Sequence, residues 1–161
     1  TAPAVSPTLP QQRWIWLTPA DGITGGGSAS FAGVTWWSAV TDRTFRTGAG
    51  FVASPATNFT LAKWNFVGVA AELWLPRGPH FGAVEVSVDG VAPTTVQLRA
   101  AVETRSEPVF RWAESAADAA RAADLGIAHG HALLLRWGTS SDGDIETFDM
   151  PCDSVRFLPA V

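Results

Sequence analysis

The chain contains no tyrosine and only one cysteine, and it has no long apolar run. Because Cys152 has no partner in the chain, no internal disulfide can form. No stretch approaches the ~18 consecutive apolar residues of a membrane helix, so we expect no insertion into a membrane. With 161 residues, the chain is long enough to bury a sizeable core as one domain without disulfides.

Positive charge is also scarce. The 11 lysines and arginines are outnumbered by 15 aspartates and glutamates, which gives a formal net charge of −4. A nucleic-acid-binding domain shows a basic surface, so we expect no nucleic-acid partner. Tryptophan, in contrast, is abundant, with eight copies. Large aromatic side chains pack well in β-sandwiches, and they also form platforms on which sugars stack.

Alternating apolar and polar residues predict most of the secondary structure. Residues 84–89 alternate strictly and lead into an Asp-Gly turn, which is typical of a half-buried strand. Two apolar runs precede this strand, interrupted at Gly68 and at 76–79, and predict adjacent antiparallel strands. Residues 13–18 predict a strand buried on both faces. Similar runs continue at even spacing, so the sequence predicts an all-β β-sandwich or small barrel of eight or nine strands.

Two segments differ from this pattern. The alanine-rich stretch 113–125 predicts one short helix, with Gly126 at its C-terminal end. Residues 1–12 contain three prolines among small residues, which predicts a flexible arm. The domain organisation expected is therefore an arm over 1–12 followed by a single domain over 13–161.

Five short motifs, taken in order, resemble the galactose-binding-like jelly-roll domains, which include many carbohydrate-binding modules. They are Trp-Asn-Phe-Val-Gly at 64–68, Gly-Pro-His-Phe-Gly at 78–82, Val-Ser-Val-Asp-Gly at 86–90, Gly-His at 130–131 and Asp-Ser-Val at 153–155. The resemblance covers residues 51–158. It implies an antiparallel jelly-roll β-sandwich of two layers and a lectin-like module that binds glycans or another surface without catalysis. The resemblance does not specify the sugar, because a fold does not determine its ligand.

Candidate ligand-binding residues lie in two loops. They are Trp36, Trp37, Arg43 and Arg46 in the first loop, and Arg77 and His80 in the second. Glycan sites combine an aromatic face for the C–H side of a sugar with a few polar groups for its hydroxyls. The arginines also suit an acidic polysaccharide, because a guanidinium group pairs bidentately with a carboxylate. The alternative for each arginine is an ordinary surface charge.

Two places in the sequence have the residue types of a metal site. His129 and His131 are spaced to project from one strand face, but no third ligand is adjacent. Oxygen ligands suited to calcium cluster at 142–144 with Glu146 or Asp149, although a solvated Asp-Gly turn has the same pattern. We expect no metal and no cofactor.

Catalysis is not expected either. Cys152 follows a proline in a predicted strand without flanking elbow glycines, which favours a buried thiol over a nucleophile. The function predicted is therefore a non-catalytic carbohydrate-binding module. The alternative is a structural assembly protein used in adhesion, such as a decoration, spike or fibre module of a virus-like particle or cell surface, with or without glycan binding. Its arm over 1–12 would bind a protein partner. Both functions predict a location outside the cell or on a particle or cell surface.

Overall fold

The computed structural model describes residues 13–17, 28–32, 37–53, 61–137 and 149–160. The predicted arm over 1–12 lies outside these residues. The described chain forms eleven strands and one helix. In chain order they are β1 Ile15–Leu17, β2 Ser28–Ala32, β3 Trp37–Thr41, β4 Ala49–Ala53, β5 Leu61–Arg77, β6 Ala83–Val88, β7 Val91–Gln97, β8 Thr104–Ala113, α1 Ala116–Asp124, β9 Gly130–Trp137, β10 Met150–Cys152 and β11 Ser154–Pro159.

Every ladder between the described strands is antiparallel. The first sheet runs β2, β5, β9, β6 and β7, and the second sheet runs β1, β11, β5 and β8. A separate sheet consists of β10, β4 and β3. The predicted all-β, antiparallel β-sandwich with one short helix is confirmed. The described residues form more strands than the eight or nine predicted, and the extra ones include short elements such as β10, which has only three residues.

Strand β5 belongs to two sheets. It has 17 residues, of which the first half pairs with β2 and β9 and the second half with β11 and β8. Strands that pass from one sheet to the other at a bulge or bend are a known way to build the corners of a sandwich. The prediction of two strands interrupted at Gly68 is therefore wrong.

The change of sheet occurs at a β-bulge at Val69. Leu158 of β11 pairs with Ala70, but the next residue of β11 pairs with Gly68, so Val69 is an extra residue. A bulge shifts the register by one residue and reverses which side chains face inward. A Cβ atom on Gly68 would lie 2.4 Å from the carbonyl oxygen of Leu158. Glycine is thus required for a close approach between two strands, and it does not end β5.

The bulge allows both halves of β5 to contribute to one core. Trp64 and Phe66 are buried before it, and Leu73 and Leu75 are buried after it. The alternating valines of β6 join the same cluster, as the sequence predicts. The Phe66 ring also packs edge-to-face on Trp112 of β8, with 5.8 Å between ring centroids. Burying each such apolar side chain contributes about 1.5–3 kcal/mol.

Helix α1 confirms the alanine-rich prediction, although it is shorter than predicted because β8 extends into that range. Ser115 caps the helix: its hydroxyl accepts from the Asp118 amide, and the Asp118 carboxylate accepts from the Ser115 amide. Gly126 follows the helix with φ of +100°. Arg121 donates to Asp89 in the β6–β7 turn at 2.9 Å, which holds the helix against the sheet. Among the described residues, no helix is long and apolar enough to cross a bilayer.

Strand β1 is at the edge of the second sheet, next to β11. Leu17 is buried, but Ile15 is 44% exposed, and Trp14 and Trp16 are half-buried. An edge strand has a neighbour on only one side, which leaves part of its surface accessible. The prediction of a strand buried on both faces is therefore wrong.

We expect Gly68→Ala to lower the free energy of unfolding by about 1–3 kcal/mol, because the new methyl group must displace the backbone of β11. Denaturant unfolding followed by tryptophan fluorescence measures the change. Val67→Thr is the matched control, because Val67 is the adjacent residue and its side chain is exposed. Equal stability of the Gly68→Ala variant and the control would contradict the close approach.

Candidate functional site

The loop between β3 and β4, residues 42–48, is held in one conformation by its own hydrogen bonds. The Asp42 carboxylate accepts from both the amide and the hydroxyl of Thr44, each at 2.9 Å. These hydrogen bonds lower the pKa of Asp42, and the one from the Thr44 backbone amide has the largest effect. Phe45 is buried beneath the loop, against Gly50, where a Cβ atom would come within 2.3 Å of its ring. The loop backbone, which carries Arg43 and Arg46, is thus held in one ordered conformation.

The two arginines line a cleft of about 650 Å³. We name it the arginine cleft; it is lined by Arg43, Thr44, Arg46, Thr47, Gly48, Glu103 and Arg105. Its opposite wall comes from the residues at the start of β8. The Ser106 amide donates to the Thr44 carbonyl oxygen at 2.6 Å, which joins the two walls.

Contacts with three residues, Asp153, Ser154 and Trp16, help to fix Arg46. Its backbone amide donates to the Asp153 carboxylate at 2.8 Å, and its Nε donates to the Ser154 hydroxyl at 3.0 Å. Its guanidinium carbon lies 3.7 Å from the ring centroid of Trp16, in a cation–π contact. Arg43 and Arg105, in contrast, are exposed, and neither forms a hydrogen bond or ion pair with another described residue.

A second cleft, of about 350 Å³, adjoins the arginine cleft and shares Thr44 and Glu103 with it. Arg77 and His80 line it together with Phe81 and Asp149. The second cleft thus brings the two sequence-predicted loops together.

The second cleft has more acidic character than the first, because Asp42, Glu103 and Asp149 all line it. Arg77 forms an ion pair with Glu107, and its Nε donates to the Gln97 carbonyl oxygen at 3.3 Å. His80 is exposed, and its carbonyl oxygen accepts from the Asp149 amide.

Some predicted site residues lie outside the described part of the chain. Trp36 is one of them, and Trp37 is described only as the first residue of β3, paired with Ala53. Of the possible calcium ligands, only Asp149 is described, and it lines the second cleft. The predicted roles of Trp36 and of the other possible calcium ligands stay predictions.

Sequence reasoning missed Thr47, Glu103 and Arg105. Glu103 and Arg105 are far from the β3–β4 loop in the chain, so no local pattern connects them to it. The only local signal was an acidic and a basic residue two positions apart.

Sequence reasoning also missed a cluster on the outer side of the second sheet. Pairing places Trp16, Arg156, Glu72 and Arg111 side by side across four strands. Arg156 Nε is 2.5 Å from one Glu72 oxygen, and Arg111 Nε is 3.0 Å from the other. Burial opposes ionisation of Glu72, but hydrogen bonds from Arg156 and the Trp74 indole outweigh it and lower its pKa.

Three tryptophans surround Arg156 in this cluster. Its guanidinium carbon is 4.4 Å from the ring centroid of Trp14, 5.5 Å from that of Trp16 and 5.4 Å from that of Trp74. Trp16 and Trp74 also contact each other edge-to-face at 5.3 Å. Because arginines already contact these rings, the cluster stabilises the sheet and positions Arg46, rather than presenting free faces for stacking.

The two histidines converge on one carboxylate. His129 is in the turn before β9, with φ of +59°, and its Nδ1 is 2.7 Å from Glu114. His131 is buried, with Nε2 at 2.7 Å from Glu114 and Nδ1 at 2.6 Å from Asp89. An imidazole donates from both nitrogens only when it is protonated. The expectation that both histidines project from one strand is wrong, because His129 precedes the strand.

The described residues contain no group of three or more His, Cys, Asp or Glu side chains arranged to hold a metal ion. Cys152 is free and buried, and burial, together with the nearby Asp153 charge, raises the pKa of its thiol well above the ordinary value. A protonated, inaccessible thiol is a poor nucleophile. The prediction that Cys152 is buried is confirmed.

A scan against protein-family models and a search of curated proteins each found no match to this sequence. Among solved structures, similar folds occur in exo-β-1,3-galactanase from Phanerochaete chrysosporium. The structure with galactose has 13% identity and a TM-score of 0.49, over 89% of this chain and 29% of the galactanase. A variant with β-1,3-galactotriose has 13% identity and a TM-score of 0.47, over 88% and 32%.

This chain thus spans less than a third of either galactanase chain. At this sequence identity and TM-score, the likeness does not indicate what this chain binds. The finer resemblance to galactose-binding-like domains stays a prediction.

The histidine cluster predicts how stability depends on pH. Burial opposes ionisation of Asp89 and Glu114, but hydrogen bonds, with those from His131 the largest, lower both pKa values below the ordinary 3.8 and 4.5. A carboxyl whose pKa is lower in the folded state stabilises the fold above its unfolded pKa, and this is lost as the pH falls through the folded pKa. We therefore expect both carboxylates to contribute their full stabilisation near pH 6. The free energy of unfolding should then decrease as the pH falls below about 4.5.

Glu114→Gln tests this expectation. At pH 7 the free energy of unfolding should decrease by about 1–3 kcal/mol, because buried His131 loses a charged partner. Its further decrease between pH 5 and pH 3 should be smaller than in the parent protein. Glu85→Gln is the control, because the ion pair of Glu85 with Arg136 is long, at 3.9 Å, and contributes little to stability. An acid dependence unchanged by Glu114→Gln would contradict the assignment.

Proposed function

We propose that this domain is a non-catalytic carbohydrate-binding module whose ligand lies along the arginine cleft and the second cleft. The observation that carries the proposal is that two loops far apart in the sequence, one with Arg43 and Arg46 and the other with Arg77 and His80, line adjoining clefts. The clefts have volumes within the range of small-molecule sites, about 300–1,000 Å³.

The chemistry of the linings supports a sugar. Guanidinium groups, the hydroxyl of Thr47 and the imidazole of His80 can hydrogen-bond sugar hydroxyls. Phe81 is half-buried in the second cleft and offers an aromatic edge or face to a C–H surface. A mixture of a few polar groups with apolar contact is typical of such sites.

One of the three described carboxylates that line the second cleft, Asp42, is unsuited to the role of a general acid. A glycosidase needs a carboxylic acid whose pKa is raised, so that it can donate a proton to the leaving oxygen. Asp42 has the opposite property, because hydrogen bonds from Thr44 lower its pKa. A carboxylate used to hold a loop is poorly suited to be a general acid.

The assembly-protein alternative and a location on a cell or particle surface stay predictions. The arm that would carry assembly, residues 1–12, lies outside the described residues. Light scattering of the full chain and of a chain without residues 1–12 distinguishes the alternatives. A closed oligomer that is lost on deletion favours assembly, and a monomer in both favours the module.

We expect the domain to bind at least one polysaccharide on a glycan array, with affinity then measured by titration calorimetry. Arg43→Ala and His80→Ala should each weaken binding by about tenfold, because a side-chain hydrogen bond to a ligand is worth about 1 kcal/mol or more. Both should leave thermal unfolding unchanged, since both side chains are exposed. Arg136→Ala is the matched control, because Arg136 is an exposed arginine outside both clefts.

Absence of binding across neutral and acidic glycans would refute the module. Release of reducing ends from any bound polysaccharide would refute the non-catalytic part alone. Binding that Arg136→Ala weakens as much as Arg43→Ala would place the ligand elsewhere on the surface.

A further inference from the structure

We infer that the arginine cleft binds an anionic group of the ligand, which makes the ligand class an acidic polysaccharide. This inference rests on the proposed function and specifies its ligand. The shared chemistry is an oxyanion on a sugar, supplied either by the carboxylate of a uronic acid or by a sulfate ester.

The local charge of the cleft is opposite to that of the whole chain. The chain has a formal net charge of −4, yet the described residues that line the arginine cleft include three arginines and one acidic residue, Glu103. A concave surface lined by one sign of charge concentrates ions of the opposite sign. A neutral sugar gains nothing from this arrangement, whereas an anionic sugar does.

Arg43 and Arg105 supply positive charge to the cleft from exposed side chains. Both are exposed, and neither forms a hydrogen bond or ion pair within the described part of the chain. Most other arginines here have a carboxylate partner, as Arg77, Arg111, Arg121, Arg136 and Arg156 do. Guanidinium groups that form no ion pair with a described carboxylate are suited to pair with a carboxylate or sulfate from outside.

The backbone segments that carry the two arginines are joined to each other. Arg43 belongs to the β3–β4 loop and Arg105 to the start of β8, and the hydrogen bond from the Ser106 amide to the Thr44 carbonyl joins these segments. Between them, Arg46 is fixed by Trp16 and Ser154. Because the cleft is organised before a ligand arrives, less conformational entropy is lost on binding.

The adjoining clefts differ in charge, which gives the ligand a direction. Asp42, Glu103 and Asp149 line the second cleft, where Arg77 is already paired with Glu107. An anionic sugar unit is therefore excluded from the second cleft by like charge and favoured in the arginine cleft. The second cleft suits a neighbouring neutral unit, whose hydroxyls can donate to these carboxylates.

The test uses matched pairs of polymers with the intact chain. Polygalacturonate is compared with its carboxyl-reduced form, and dextran sulfate with dextran, by titration calorimetry at about 0.15 M salt, where the screening length is about 8 Å. We expect an acidic polymer to bind at least about tenfold more tightly than its neutral counterpart, the effect of one charge-assisted hydrogen bond. Binding of only polygalacturonate assigns the anion as carboxylate, and binding of only dextran sulfate assigns it as sulfate.

Three variants connect this preference to the cleft. Arg43→Gln and Arg105→Gln should each reduce acidic-polymer affinity by about tenfold, and Glu103→Gln should increase it, because it removes a negative charge from the lining of the cleft. Arg136→Gln changes the net charge equally but lies outside both clefts, so it should leave affinity unchanged. Thermal unfolding of each variant verifies that the fold is retained.

The outcomes separate this inference from the proposed function. Equal binding of acidic and neutral polymers would overturn the inference and leave the carbohydrate-binding module intact. Binding of none of the polymers, with a blank glycan array, would refute both. Equal weakening by Arg136→Gln, or binding of duplex DNA as tight as that of the acidic polymer, would show general attraction to polyanions and overturn the inference.

Discussion

Trp64 and Leu73 lie nine positions apart on one strand, yet both face the same core. A regular strand places even and odd residues on opposite sides, so this burial requires one extra residue between them. Val69 is that residue. The bulge is fixed on both sides, because the Gly68 amide donates to the His129 carbonyl and the Val69 carbonyl accepts from the Glu114 amide. The sandwich therefore depends on a local irregularity that the neighbouring strands and the histidine cluster hold in place.

The same irregularity explains which parts of the fold could be predicted. The β6 valines and the capped helix α1 are determined by neighbours within a few positions, and their sequence patterns predicted them correctly. Gly68 was misread because a glycine at a strand end and a glycine under a crossing carbonyl look identical in one dimension. Its role appears only when Leu158, which is far along the chain, is placed above it.

The candidate site likewise combines features that local sequence predicts with features that depend on distant segments. Arg43, Arg46, Arg77 and His80 could be named from residue type and loop position, and the structure places them at adjoining clefts. Arg105 could not be named, because nothing in its own neighbourhood distinguishes it from other surface arginines. The tryptophan count predicted a mixture of packing and exposure, but not that three of the rings would surround the guanidinium of Arg156. Contacts between distant segments determine both facts.

The anchoring of Arg46 has a consequence for the order in which the protein acquires its site. Asp153, which accepts the hydrogen bond from the Arg46 amide, is 107 positions away in the chain. Asp153 and Ser154 lie where β10 passes into β11, so they are synthesised long after the β3–β4 loop. Bringing such distant segments together is slow compared with forming local hairpins. A nascent chain can thus complete the β3–β4 hairpin early and still lack an organised cleft. The position of Arg46 is therefore set only after β10 and β11 have been synthesised and have reached this hairpin.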